Sequence, residues 1–258
     1  MAISTFKRYE IKFFLSAEQY NNIKKILPIY MKPDAFCKGG KTYSIYNIYY
    51  DTPDSFLIRT SLSSPYYKEK FRVRSYRSMS TANDRVFLEL KKKTAGIVHK
   101  RRATMTMQEA GLFLQNGCRP EMQDYLDRQV TNELKSFLKF HIIRPAVYIS
   151  YQRAAFFGKD DREFRVTFDS GITTRRIDLN LHSGDYGEAL LQPGQYLMEV
   201  KVPGAMPLWL TALLSELRVY KTSFSKYGME YRKYCGNQKE DAKVPAPYTL
   251  VDSGRKAV

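Results

Sequence analysis

Lys70-Phe71-Arg72-Val73-Arg74 places a cation at every second position, with an apolar residue between each pair. The alternation recurs in Arg8-Tyr9-Glu10-Ile11-Lys12, Glu89-Leu90-Lys91 and Glu199-Val200-Lys201. Strand side chains alternate between faces, so each charged set shares one face. A single such strand is ordinarily half-buried, with its charged face in water. Several of them, mostly cationic and with one glutamate at a time, predict a closed sheet whose interior is the charged face. The candidate inward cations are Arg8, Lys12, Lys70, Arg72, Arg74, Lys91, Lys93, Arg153, Arg165, Lys201 and Lys226, set against Glu10, Glu89 and Glu199. A solvated surface mixes the two signs more evenly. Enclosing so one-signed a set without a bound anion is strongly unfavourable, so an anionic ligand is expected.

Working outward, a strand is expected over 6–14, followed by a helix capped by Ser16 and running to about Ile29. Further strands are read at 43–50, 67–76, 85–93, 97–106, 146–157, 163–168, 172–177 and 196–202. Helices are read at 56–62, 107–114, 122–140 and from Pro207 to about Leu217, and 222–234 reads as short and mixed. Strands, then helices, then strands again, with short connections, predict an α+β fold with an antiparallel sheet. Eight or nine strands suffice to close a barrel. The polar tail from Gly236 to Val258 reads as disordered.

The chain has 258 residues, 43% of them hydrophobic and 14% aromatic, which is ample for a globular core. Its formal charge of +16 argues for an anionic partner: nucleic acid, an anionic membrane surface or phosphorylated metabolites. Cys37, Cys118 and Cys235 are few, odd in number and far apart, so neither a disulfide framework nor a zinc ribbon is expected, and a cytoplasmic setting fits. No apolar run approaches the ~20 residues of a membrane span.

Each of the three glutamates lies two residues from a lysine on its own face. They fit either ordinary cross-strand ion pairs or a carboxylate site for Mg²⁺ or Mn²⁺, hard cations that bridge to phosphate oxygens. His99, His141 and His182 show no ligand spacing, and no Gly-rich phosphate loop follows a strand.

Taken in order, Glu10-Ile11-Lys12, Arg72-Val73-Arg74, Glu89-Leu90-Lys91, Tyr151-Gln152-Arg153, Arg165, Glu199-Val200-Lys201 and Ser223-Phe224-Ser225-Lys226-Tyr227 resemble the triphosphate tunnel metalloenzymes. More closely they resemble the VTC (vacuolar transporter chaperone) catalytic domain, a polyphosphate polymerase of that CYTH-like superfamily. The resemblance spans about 6–234 and implies a single domain over 1–235 built as a closed eight-stranded antiparallel β-tunnel. It implies that Lys12, Arg72, Arg74, Lys91, Arg153 and Arg165 carry catalysis on the phosphate chain. Tyr151, Lys201, Ser225 and Lys226, with Lys100 or Arg101, would bind substrate. Glu199, helped by Glu10 or Glu89, would hold Mn²⁺ or Mg²⁺. The implied partners are ATP and polyphosphate or inorganic triphosphate, rather than nucleic acid. The implied reaction passes the γ-phosphate of ATP to a growing polyphosphate chain. The alternatives are a triphosphatase or polyphosphatase of the same fold, and a non-catalytic module that binds polyphosphate or nucleic acid. Ser223 stands where the resemblance calls for a further basic residue.

Overall fold

The computed structural model describes residues 9–63, 66–95, 97–118, 120 and 125–241. The element order is β1 (Tyr9–Leu15), α1 (Ala17–Tyr30), β2 (Met31–Pro33), a 3-10 segment (Ala35–Gly40), β3 (Tyr43–Asp51), α2 (Phe56–Leu62), β4 (Tyr67–Ser75), β5 (Arg85–Thr94), β6 (Ile97–Thr106), α3 (Met107–Asn116), α4 (Tyr125–Phe140), β7 (Arg144–Gly158), β8 (Arg165–Arg175), β9 (Glu188–Ala189), β10 (Tyr196–Val202), α5 (Leu208–Glu216), β11 (Lys221–Thr222) and α6 (Lys226–Asp241). Arg8 lies outside the described residues, as does the tail from residue 242. The start of the expected tail, from Gly236, belongs to α6.

All the strand pairings are antiparallel and build one sheet in the order β11-β1-β10-β8-β7-β3-β4-β5-β6, with β2 added to β7 and β9 to β8. Six strand steps separate β1 from β5. Flat, these strands would lie about 29 Å apart at ~4.8 Å per step. Yet Lys91 Nζ on β5 is 3.6 Å from Glu10 Oε2 on β1. The sheet is therefore strongly curled, with its charged face inside.

Closure is where the structure departs from the sequence reading. Among the described residues the sheet has eleven strands rather than eight, and hydrogen bonds do not join its ends. The reason is local. The strand at one end, β11, is two residues long and covers only Lys12 and Phe13 of β1. The chain then turns into α6, whose start enters the curl and bonds inward-facing lysines: Lys12 Nζ donates to the Phe224 carbonyl at 2.9 Å, and Lys70 Nζ to Ser225 Oγ at 2.8 Å. A second departure is that 165–175 is one strand, not two. Gly171, at φ 56°, makes a bulge opposite Tyr151 instead of a turn.

The outer face is apolar and covered by helices. Ile11, Phe13, Leu15, Val166, Phe168, Met198 and Val200 pack under α1 and α5. Phe71, Val73, Leu88, Leu90, Ala103 and Met105 pack under α3 and α4. A third cluster lies within the curl, where Ile45, Tyr49, Ile149 and Leu197 meet Phe224 and Tyr227.

Asp51, fully buried at the end of β3, ties this inner cluster to α2. Its carboxylate accepts from the Leu57 and Ile58 backbone N–H groups at 2.9 and 3.0 Å and from the Tyr227 hydroxyl at 2.8 Å. Asp51→Ala strands these donors and should lower stability by about 3 kcal/mol in urea titration, whereas Tyr227→Phe should cost about 1 kcal/mol. Equal effects of the two substitutions would show that Asp51 does not organise α2.

Candidate functional site

The registers decide which charges share the inner face. Glu10 pairs with Lys201 and Lys12 with Glu199 across β1 and β10. Lys201 pairs with Arg165 and Glu199 with Thr167 across β10 and β8. Arg153 pairs with Asp169, Arg72 with Glu89, and Glu89 with Arg102. Directly opposed residues lie on the same face. The strands thus line the curl with two carboxylate-centred clusters and a set of cations between them.

The first cluster surrounds Glu89, which is 2% exposed. Oε2 accepts from Arg72 Nε at 2.7 Å and lies 3.8 Å from Arg74 Nε. Oε1 accepts from Arg102 Nε at 2.7 Å and is 2.6 Å from Lys100 Nζ. Burial alone would raise the Glu89 carboxyl, but Arg72, Arg74, Lys100 and Arg102 hold it far below the usual range. The two arginines of β4 are anchored further: Arg72 Nη1 donates to the Tyr49 hydroxyl at 2.8 Å and Arg74 Nε to Asn47 Oδ1 at 2.9 Å. Burial, partly offset by Glu89 and reinforced by Arg72 and Arg102, pulls Lys100 down.

The second cluster joins Arg153, Asp169, Glu199 and Lys226. Arg153 grips Asp169 with two bonds, of 2.6 and 2.7 Å, and its Nη2 is 3.7 Å from Glu199 Oε2. Lys226 Nζ donates to Asp169 Oδ2 at 2.5 Å and lies 3.5 Å from Glu199 Oε1. Against burial, Arg153 and Lys226 keep Asp169 ionised, while Lys226, Lys12 and Arg153 do the same for Glu199. The Tyr151 ring separates the clusters, 4.4 Å from Lys226 Nζ and 5.2 Å from the Arg153 guanidinium. Its hydroxyl oxygen accepts from Arg74 Nη2 at 3.2 Å.

Between the clusters lie Glu10, Lys12, Lys70, Lys91 and Lys201. Lys12 Nζ sits 3.2 Å from Glu10 Oε1 and 3.7 Å from Glu199 Oε1. Burial would raise the Glu10 carboxyl, but Lys91, opposed by Glu199 and aided by Lys12 and Lys201, brings it down to about 2. Lys70 has the opposite balance. Burial, then Lys91, Lys12, Lys68 and Arg72, push it down to about 7, and Ser225 Oγ is a neutral acceptor for it. Burial also lowers Lys201, despite Glu10 and Glu199. Arg165 closes the row at the edge, with Nη2 3.4 Å from the Tyr43 hydroxyl and 3.6 Å from Asp34 Oδ2. Among the described residues, the buried side-chain polar atoms without a partner are Arg165 Nε and Thr167 Oγ1, both on this face of β8. Orphaned buried polar atoms are expensive, and both stand on the charged inner face of the curl.

The structure gathers fourteen of the fifteen residues singled out from sequence: Glu10, Lys12, Arg72, Arg74, Glu89, Lys91, Lys100, Tyr151, Arg153, Arg165, Glu199, Lys201, Ser225 and Lys226. Arg101 is the exception. It lies on the outer face, where Nε donates to Glu133 Oε2 of α4 at 2.8 Å beside Lys92. Its neighbour Arg102 is inside in its place, and period-two counting from Lys100 would have found it. Asp169 was also missed; it lies four residues past Arg165 on the same face.

The residues differ in how well they suit a divalent cation. Glu89 does not fit, because four cationic side chains already surround its oxygens. Glu10 and Glu199 converge on one ammonium, Lys12, and are held ionised, so they present hard oxygen donors around a point already occupied by positive charge. Among the described residues no group of three His, Cys, Asp or Glu side chains forms a metal cage. Two carboxylates completed by phosphate oxygens and water are the pattern Mg²⁺ favours.

The VTC domain family matches residues 7–234. The chain belongs to this family. No curated protein matches it. Among solved structures, a Bacillus halodurans protein provisionally described as an adenylate cyclase is similar at TM-score 0.50 and 17% identity, covering 85% of this chain and 95% of its own. A Vibrio parahaemolyticus protein with the same provisional description reaches TM-score 0.43 and 12% identity over 87% and 97%. The first likeness supports the triphosphate tunnel fold for this VTC domain, with its curled sheet and flanking helices. No helix among the described residues is long and apolar enough to cross a membrane.

The Lys70 balance has a pH signature. Its folded value of about 7 lies below the ~10.4 of an unfolded lysine. The free VTC domain therefore carries a penalty from this lysine that is full below about pH 7 and fades as pH rises toward about 10. A polyanion beside Lys70 restores its proton. Tripolyphosphate binding should thus take up protons and weaken as pH rises from 7 to 9, and Lys70→Gln should flatten this dependence. Calorimetry in buffers of different ionisation enthalpy measures the uptake. An identical pH slope in Lys70→Gln would remove Lys70 from the site.

Proposed function

We propose that this VTC domain is a metal-dependent polyphosphate polymerase that transfers the γ-phosphate of ATP to a growing polyphosphate chain. The observation that carries the reading is the inner face itself. Its cations exceed its carboxylates, burial lowers Lys70 and Lys201, with neighbouring cations adding to the effect, and two buried polar atoms on β8 lack partners among the described residues. A linear chain of phosphates supplies repeated anionic oxygens along such a face.

In this reading the triphosphate lies along the curl between the two carboxylate clusters. Arg72 and Arg74 reach it from β4, Arg153 from β7, and Lys91 and Lys100 from the β5–β6 side. The Tyr151 hydroxyl, which accepts from Arg74, keeps its own proton for a phosphate oxygen. The bond between the γ-phosphorus and the bridging β–γ oxygen breaks, ADP departs, and a terminal oxygen of the acceptor chain forms the new bond to phosphorus. Arginines and lysines fixed before the reaction stabilise the charge on the transferring group. A divalent cation at Glu10 and Glu199 would neutralise phosphate charge and align the two chains when bound.

An anionic acceptor needs no general base, and the carboxylates and histidines are unsuited to the part, while Lys70 and Lys100, pulled down to about 7 in the free domain, would take up protons beside a polyanion. Glu10, Glu89 and Glu199 are all held far below neutral pH. His141 lies beside Glu69 and His99 opposite Lys92, on the outer face, with His182 in the β8–β9 loop. These features favour transfer to phosphate over transfer to water.

Incubation with ATP and Mn²⁺, with polymer and free phosphate measured together, tests the reading. Long anionic polymer is expected. Arg72→Ala should cut its formation by about 10²–10³-fold, the size of losing one donor to transition-state charge, and Glu199→Gln should abolish it, with thermal unfolding checking that both variants fold. Free phosphate without polymer would identify a hydrolase, and undiminished synthesis by both variants would displace the site.

A further inference from the structure

At the end of the curl where β3 begins and β4 ends, four aromatic rings run in series. Phe36 meets Tyr43 edge-on at 6.1 Å, Tyr43 lies 6.1 Å from Tyr76, and Tyr76 lies 5.5 Å from Phe87. The Arg102 guanidinium covers the Phe87 ring at 4.7 Å. The Tyr43 phenol points at the phosphate site, where Arg165 donates to its hydroxyl. The other end of the row is open. Phe36 is 74% exposed and Tyr76 41% exposed. Phe36 is carried by the 3-10 segment, where Asp34 Oδ1 accepts from the Phe36 N–H at 3.2 Å while Asp34 Oδ2 faces Arg165 at 3.6 Å. A phenylalanine ring is thus held in water by a turn whose cap also reaches a phosphate-site arginine.

We infer that this aromatic lip is a nucleobase platform, which seats the base of a nucleoside triphosphate while its phosphates run inward. Three features select that occupant. The rings adjoin cations that suit phosphates, so one ligand must offer both an anionic chain and a flat apolar surface. The exposed rings offer π-faces to a planar group, and such stacking tolerates any base. The opposite end of the curl is obstructed, since the first turn of α6 lies there with Lys226 on Asp169 and Tyr227 on Asp51. The base therefore lies at the lip and the terminal phosphate near the Glu10–Glu199 pair. This rests on the phosphate-site reading above and adds to it: the face distinguishes the nucleotide donor from the bare phosphate chain by the lip alone.

The test compares a non-hydrolysable ATP analogue with inorganic tripolyphosphate, each titrated calorimetrically into the full chain. Phe36→Ala, an exposed substitution that the fold tolerates, should weaken the analogue at least fivefold and change tripolyphosphate by less than twofold. Phe36→Trp should hold or tighten the analogue. Equal effects on both ligands, or no effect of Phe36→Ala on the analogue, would overturn the platform while leaving the phosphate site standing. If wild-type protein bound neither ligand, the phosphate-site reading would fall and the platform with it.

Discussion

Lys226, 8% exposed, is tied to two buried carboxylates that also share Arg153. A charge so deep is tolerated only when paired and hydrogen-bonded, and this one network joins α6, β7, β8 and β10. It fixes the first turn of α6 inside the curl, which leaves Ser225 over Lys70 and the Phe224 carbonyl over Lys12. Without that helix start the end of the curl beside Asp51 would stand open. The interaction that organises the charged inner face therefore also anchors α6 to the sheet.

The two carboxylate clusters play different parts. Glu89 acts as an internal counter-ion: it holds Arg72, Arg74, Lys100 and Arg102 in one place in the absence of substrate. Glu10 and Glu199 stand where positive charge converges from several strands, and under the proposed function a divalent cation would take the place of an ammonium there. Lys70, whose acceptor is the neutral Ser225 Oγ, remains short of negative charge. This is the usual condition of a preorganised anion site: the protein bears the electrostatic strain so that the ligand relieves it.

Much of this was legible in the sequence because a strand's period of two converts spacing into facing. Arg72 and Arg74, Glu89 and Lys91, and Glu199 and Lys201 could each be assigned to one face without knowing their neighbours. The choice between Lys100 and Arg101 needed the register across the turn into β6, which pairs Lys91 with Lys100 and Glu89 with Arg102; once Lys100 is inside, Arg102 follows by the period of two. Asp169 fell between the strands read at 163–168 and 172–177, and its partner Arg153 is distant in sequence. The closed barrel was expected from strand number, but closure depends on the length of the last strand, and two residues of β11 are too few to show a pattern. Gly171 misled in the same way, since a glycine inside a strand marks a bulge as readily as a break.

The central claim is that the charged inner face, and not the basic outer surface, binds one phosphate chain. Adjacent residues of β6 allow a direct contrast, because Arg102 faces Glu89 inside and Arg101 faces Glu133 outside. Titration of tripolyphosphate into Arg102→Ala and Arg101→Ala measures it. One saturable site is predicted, weakened at least tenfold by Arg102→Ala and left within twofold by Arg101→Ala. Equal losses from the two substitutions, or binding at many weak sites, would contradict the account.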